Sequence, residues 1–243
     1  MPSNAVPDPA VLDAFGVKGS RVPLVGGQGR SVLVGECVFK PAEGPADEIE
    51  WAASLFEELG ASSSGFRVPL PLRAADGRSV VDGWTASEFV TGQPGPQGRW
   101  TGVLDAGRAF PVEQDAAQLI HGDLTGNVLF AAGQAPAVID FSPYWRPPVY
   151  AEAVVIADGL LWFDLPSDLL TAAGNHPDWP QLLVRALIFR LVAHSENARS
   201  LGRAPSGEAE RYARAADVVA RKLLYRTRAR TRTRTRTRTV PDQ

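Results

Sequence analysis

Two short stretches decide how this chain reads: His121-Gly122-Asp123-Leu124-Thr125-Gly126-Asn127-Val128-Leu129-Phe130 and, shortly after it, Val138-Ile139-Asp140-Phe141-Ser142. Val128–Phe130 and Ala137–Ile139 have the look of two brief buried strands, so Asp123, Asn127 and Asp140 fall in loops whose positions a sheet would fix. Two carboxylates and an amide in this order suit phosphoryl transfer from a nucleotide. One carboxylate orients the attacking hydroxyl and accepts its proton, and hard oxygen ligands hold magnesium on the phosphates. Asp123 is placed for the first task, Asn127 and Asp140 for the second. His-Gly-Asp alone would describe no more than a polar turn with a capping acid; the ordered pair of segments carries the information. His121 reads as a residue that holds the loop, and His176 and His194 lie outside any constellation.

With these residues the chain resembles the aminoglycoside phosphotransferase and choline kinase-like family, the small-molecule branch of the protein-kinase-like fold. The resemblance rests on His-Gly-Asp…Asn and the downstream Ile139-Asp140. Through His121–Phe130 and Val138–Pro148 it is closer to an actinobacterial subgroup. It implies an α+β fold of two lobes, β-rich then mainly helical. It also implies ATP- and Mg2+-dependent phosphorylation of a small hydroxylated molecule, with Asp123 as catalytic base. Most members of the wider family place the Asn five residues after the base, whereas Asn127 follows Asp123 by four.

The first 90 residues supply the expected nucleotide half. Val22–Val25, Ser31–Val34 and Cys37–Phe39 are short β-prone runs, and Val68–Ala74 and Val80–Val90 form a second set around the turn Asp76-Gly77. Gly27 and Gly29 lie between the first two runs and Ser31 opens the second, where backbone N–H groups can close over phosphates; a tight hairpin explains the glycines about as well. Lys40 ends its strand and matches the Lys that pairs with the α/β-phosphates in kinase-like folds. Asp47 is expected to cap a helix that runs to Leu59 and stops at Gly60, with Trp51, Ala52, Leu55, Phe56 and Leu59 on one face. Glu48 shares that face and is the preferred partner of Lys40, with Glu50 the alternative. A nucleotide base would meet backbone groups near Glu88–Val90.

The Pro- and Gly-rich stretch Thr91–Gly98 marks a linker between a first lobe, 1–90, and a second, 99–225. Helices are expected over Tyr150–Phe163, Ser167–Ala173, Trp179–Arg199 and Ser206–Leu224, with the one around Leu182–Val192, apolar almost all round, at the centre. Asp158, alone in an apolar run, is expected to be buried and hydrogen-bonded, or to orient the catalytic loop. Between the linker and His121 the sequence offers only Asp115–Ile120 as about one helical turn. A shortened second lobe would leave a catalytically impaired, nucleotide-binding protein as the alternative to a kinase.

Composition bounds the rest. Of 243 residues 44% are hydrophobic and 21% charged, enough for a core, and the single cysteine, Cys37, excludes a disulfide framework. The net charge of −2 conceals a split: nine of the 25 basic residues follow position 220, so residues 1–220 carry 16 basic and 26 acidic groups. An acidic body argues against a nucleic-acid-binding core. The Arg/Thr-rich run Arg226–Thr239 reads as a disordered tail over 226–243. Neither a signal peptide nor a membrane-spanning run is visible, so no membrane partner is expected and the cytoplasm is the expected location.

Overall fold

The structure, a computed structural model, describes residues 6–25, 30–62, 65–96, 99–108, 116–165, 169–170, 176, 178–200, 202 and 208–221. The chain divides into two compact units, Met1–Gln97 with Gly126–Asp140, and Gly98–Thr125 with Phe141–Gln243. Gly27 and Gly29, the Arg/Thr tail and most of Ser167–Ala173 lie outside the described residues.

The first unit is built on a five-stranded antiparallel sheet. Its strands are β1 (Arg21–Pro23), β2 (Val32–Val34), β3 (Cys37–Pro41), β4 (Pro71–Leu72) and β5 (Trp84–Glu88), in the order β1-β2-β3-β5-β4. Side chains alternate along β2, with Val32 and Val34 buried and Leu33 half-buried between them, as a half-covered sheet requires. A short helix that the sequence pattern does not announce, α1 (Pro9–Ala14), covers this inner face. Proline at its first position suits a helix start. Its Val11 and Leu12 join Phe15, Val34, Phe39, Trp84 and Ala86 in one core, and Phe15 meets Phe39 edge-on at 5.8 Å.

The helix α2 (Ala46–Ala61) follows β3 and departs from expectation at both ends and at Trp51. Pro45 is its N-cap, so Asp47 sits in the first turn, where it complements the helix dipole. Gly60 stays helical, and the chain leaves after Ala61, where the Ser62 hydroxyl donates to the Leu59 carbonyl at 2.8 Å. The buried residue is Ala53, while Trp51 is 47% exposed. Ala52, Leu55, Phe56 and Leu59 of the expected face are half-buried beside Ala53, so the face holds except at Trp51. Glu48 is exposed and Glu50 half-buried.

A second sheet of this unit joins β6 (Gln93–Pro94), inside the expected linker, to β7 (Val128–Phe130) and β8 (Ala137–Val138), in the order β6-β7-β8. The register Val128↔Val138 places Asn127 across from Ile139, and the Ile139 N–H donates to the Asn127 carbonyl at 2.9 Å.

The second unit is organised around helix α3 (Pro148–Trp162). Ala151, Ala153–Gly159 and Leu161 are all buried, so this helix is covered nearly all round. A fully buried Val or Ile contributes about 1.5–3 kcal/mol relative to exposure, and Val154, Val155 and Ile156 are each at most 1% exposed. Helix α4 (Trp179–Ser200) packs on it through Trp179, Leu183, Ala186 and Leu187. The expectation that the Leu182–Val192 helix is central is overturned: Ile188, Leu191 and Val192 are 46–56% exposed. Residues 208–221 are helical, and their Ala215 and Val219 complete this core.

The interval before His121 is less bare than the sequence suggests. It holds a helix, α5 (Trp100–Arg108), whose Trp100, Val103 and Leu104 are at most 5% exposed, an i, i+3, i+4 stripe against α3. Gly102, Gly107 and Thr101 are weak helix formers and dilute the signal. Gln118–Ile120, expected as helix, belongs instead to strand β9 (Gln118–His121), which pairs antiparallel with β10 (Pro143–Arg146) in the register Pro143↔His121.

Candidate functional site

In the first unit, Lys40 and Asp140 come together from positions 100 apart in sequence. Lys40 is anchored by the β3–β5 register, opposite Thr85, whose hydroxyl donates to the Lys40 carbonyl at 3.3 Å. Asp140 follows β8 with φ of 50°, in the left-handed region that non-glycine residues seldom occupy and that Asp tolerates better than most. Asp82 and Asp164 adopt the same conformation, at φ of 47° and 46°. The Lys40 ammonium bonds the Asp140 Oδ1, and both side chains remain about two-fifths exposed. At such exposure the pair adds little stability. It does leave a cation and a carboxylate on the same spot.

Neither Glu48 nor Glu50 meets Lys40, which corrects the sequence expectation. Glu48 lies on the exposed side of α2. Glu50 is committed elsewhere: it accepts from the Ser79 N–H at 2.7 Å, the Ser79 hydroxyl at 2.9 Å and Arg73 Nη1 at 2.8 Å. The Ser79 amide foremost, with its hydroxyl and Arg73, holds the Glu50 carboxyl below the usual range. Glu50 is thus a clasp between α2 and the turn after β4.

Ser31 is half-buried just before β2, its carbonyl accepting from the Leu24 N–H at 2.9 Å. Glu88 is exposed at the end of β5 and Val90 half-buried beyond it. The N–H groups of Glu88 and Phe89 bond the carbonyls of Leu70 and Glu36, each at 2.8 Å.

In the second unit, His121 is 1% exposed and accepts the Asp123 N–H at Nδ1, 3.0 Å away. Its ring stands edge-on to Phe141 at 5.5 Å. This is the loop-holding role the sequence suggests. Gly122 is required by packing: a Cβ there would stand 2.5 Å from Cε2 of Tyr144, whose ring is itself edge-on to Phe189 at 5.3 Å. Gly122→Ala is expected to destabilise the protein by about 1–3 kcal/mol through this overpacking. Tyr144→Ala in the same background should recover part of the loss, read as Tm; equal Tm for Gly122→Ala and the parent would refute it.

Asp123 itself is reached by a residue that sequence reasoning missed. Arg190 of α4 donates through Nη2 to Asp123 Oδ1 at 2.7 Å and to Asp158 Oδ2 at 2.5 Å, and through Nε to Asp158 Oδ1 at 2.5 Å. Asp158 is buried and hydrogen-bonded, as expected of a lone acid in an apolar helix. Burial pushes its carboxyl up to about 6, with Arg190 opposing the rise. Nothing marks Arg190 in sequence, since one arginine in a long helix looks like any surface charge.

Three solved structures share this fold. A spectinomycin phosphotransferase, APH(9)-Ia, in complex with ADP and spectinomycin, matches with a TM-score of 0.56 at 12% identity, over 86% of this chain and 92% of that one. An aminoglycoside phosphotransferase from Alicyclobacillus acidocaldarius matches with 0.56 at 14% identity, over 90% of this chain and 93% of that one. A thermostable mutant of aminoglycoside phosphotransferase APH(4)-Ia, in its apo form, matches with 0.53 at 14%, over 87% and 97%. No family model matches the sequence, and no curated protein matches it significantly. The fold is therefore the α+β, protein-kinase-like fold of the aminoglycoside phosphotransferases, as the two motifs imply. No helix among the described residues is long and apolar enough to cross a membrane.

Proposed function

We propose that this chain is an ATP- and Mg2+-dependent phosphotransferase that acts on a hydroxyl of a small molecule. The observation that carries the reading is the convergence of Lys40 and Asp140, with Asn127 fastened to the residue before Asp140. A cationic side chain and a carboxylate at one place, both partly exposed, are what a magnesium–nucleotide complex needs: Lys40 turns to the phosphates when they arrive. The donor set also fits the metal. Asp140 and Asn127 offer hard oxygens, and magnesium is commonly bound by one or two such protein ligands together with phosphate oxygens and water. Bound there, the ion would neutralise charge on the transferring phosphoryl group.

The second unit contributes the base. The acceptor oxygen forms its bond to the γ-phosphorus as the bond to the ADP oxygen breaks, and the hydroxyl proton passes to the Asp123 carboxylate. Asp123 is 43% exposed, so an acceptor reaches it from solvent. His121 fixes its backbone and Arg190 its carboxylate. The spectinomycin kinase that shares the fold was captured with ADP, which supports a nucleotide as the donor here and a hydroxylated small molecule as the acceptor.

Thermal shift with MgATP tests the reading, paired with transfer assays on spectinomycin and a panel of amino sugars, sugars and amino alcohols. At a hundredfold excess over Kd, binding is expected to add about 2.7 kcal/mol, read as a rise in Tm that Asp140→Ala removes. Stabilisation without transfer to any acceptor or to water would select the catalytically impaired alternative. No stabilisation at all would end the proposal.

A further inference from the structure

The geometry points to Arg190 as the positioning residue of the reaction: its guanidinium holds the Asp123 carboxylate in the orientation that accepts the acceptor's proton. This inference rests on the function proposed above. Three observations carry it. First, Arg190 is fixed before it meets Asp123, because Nε and Nη2 grip both oxygens of Asp158 at 2.5 Å. Second, Asp158 is 2% exposed in the middle of the most buried helix of the unit, so the grip is anchored in the core. Third, Nη2 is shared with Asp123 Oδ1 at 2.7 Å while Asp123 is 43% exposed. A half-exposed carboxylate rotates about χ2 unless something pins it. Here the pin runs from the α3 core through α4 to one named oxygen.

The planar fork of arginine is what makes one side chain serve two carboxylates. Lysine, a single ammonium on a flexible stem, cannot reproduce the paired Nε and Nη2 geometry, so Arg190→Lys keeps the charge and loses the alignment. The base is then present but misaimed. Misplacement of about an ångström costs on the order of a hundredfold in rate. The loss belongs to the chemical step, since the Arg190 guanidinium is engaged by Asp158 and Asp123 and has no part in the nucleotide role given to Lys40, Asn127 and Asp140.

The experiment measures MgATP turnover with water as the acceptor, and with spectinomycin where it is a substrate. Arg190→Lys is expected to lower kcat by about 10–100-fold with the KM for MgATP within twofold. A second variant, Arg190→Gln with Asp158→Asn, removes both buried charges together and so protects folding; it should lose kcat to a similar extent. Independently of turnover, the Tm shifts of Arg190→Lys and Asp123→Ala are expected to be non-additive by about 2–4 °C, the mark of two groups in contact. Unchanged kcat in either Arg190 variant of an active enzyme, or additive Tm shifts, would overturn the inference. A parent protein that turns over no MgATP with any acceptor overturns the proposed function first, and this inference with it.

Discussion

Asp123→Asn is expected to lower phosphate transfer by about 10^2–10^4-fold, the range a positioned general base supplies. The substitution isolates the proton transfer. The amide keeps an oxygen that can accept from Arg190 Nη2, now at 2.7 Å from Oδ1, and the backbone N–H keeps its bond to His121 Nδ1. Arg190 retains both bonds to Asp158, so no buried charge is stranded. Folding stability should therefore change by no more than about 1 kcal/mol, as for a partly exposed pair. MgATP affinity should stay within about threefold, since Lys40 and Asp140 are untouched. What disappears is the ability to accept the acceptor's proton. Steady-state transfer and a MgATP thermal shift on the same preparation decide the matter: near-parental kcat in Asp123→Asn would show that another group is the base.

The two motifs were legible because they are local. A strand of two or three residues followed by a polar loop fixes its side chains through neighbours a few positions away, and β7 begins at Val128 as its sequence indicates. The same locality identifies Lys40 as a residue of the strand Cys37–Pro41. What failed was whatever depends on which face of a helix meets the core. On α2, the apolar spacing cannot tell which acid finds a partner: Glu50 is drawn to Ser79 and Arg73, brought in from the far side of β4, and Glu48 is left exposed. On α4, the run Leu182–Val192 looks central by hydropathy. The residues that settle the question are the small and β-branched ones of α3, Ala153 to Ala157, which admit close neighbours on every side.

Arg190 was invisible for the same reason. Its partners lie 32 and 67 positions away, and an arginine in a helix carries no sign of whether it points to water or to a buried acid. Asp158 did signal itself, because a carboxylate amid apolar residues must find a partner. The sequence could pose that question, but its answer required the packing of α4 on α3. α5 was missed for an opposite cause: its Trp100, Val103 and Leu104 stripe is regular, but its glycines lower the local propensity that a short helix depends on.

Arg190→Met is expected to destabilise the fold by about 3–5 kcal/mol at pH 7.5, because it leaves Asp158 buried and unpaired. The loss should shrink towards pH 5, and its sign follows from the shift of the carboxyl. In the parent, burial raises Asp158 to about 6, above its value in the unfolded chain, so the fold favours the protonated form. The contribution of this group to stability is fullest below the unfolded value of about 4 and declines as pH rises through about 6. Arg190 opposes that rise through its charge and its hydrogen bonds. Without it the carboxyl moves further up, and at pH 7.5 folding must either bury a bare charge or take up a proton. At pH 5 the proton is already there. Urea unfolding at the two pH values measures the difference. Adding Asp158→Leu to Arg190→Met should restore most of the stability at pH 7.5 while leaving Asp123 without its guanidinium. A loss below about 1 kcal/mol, or one equal at both pH values, would mean that Arg190 does not hold the Asp158 charge.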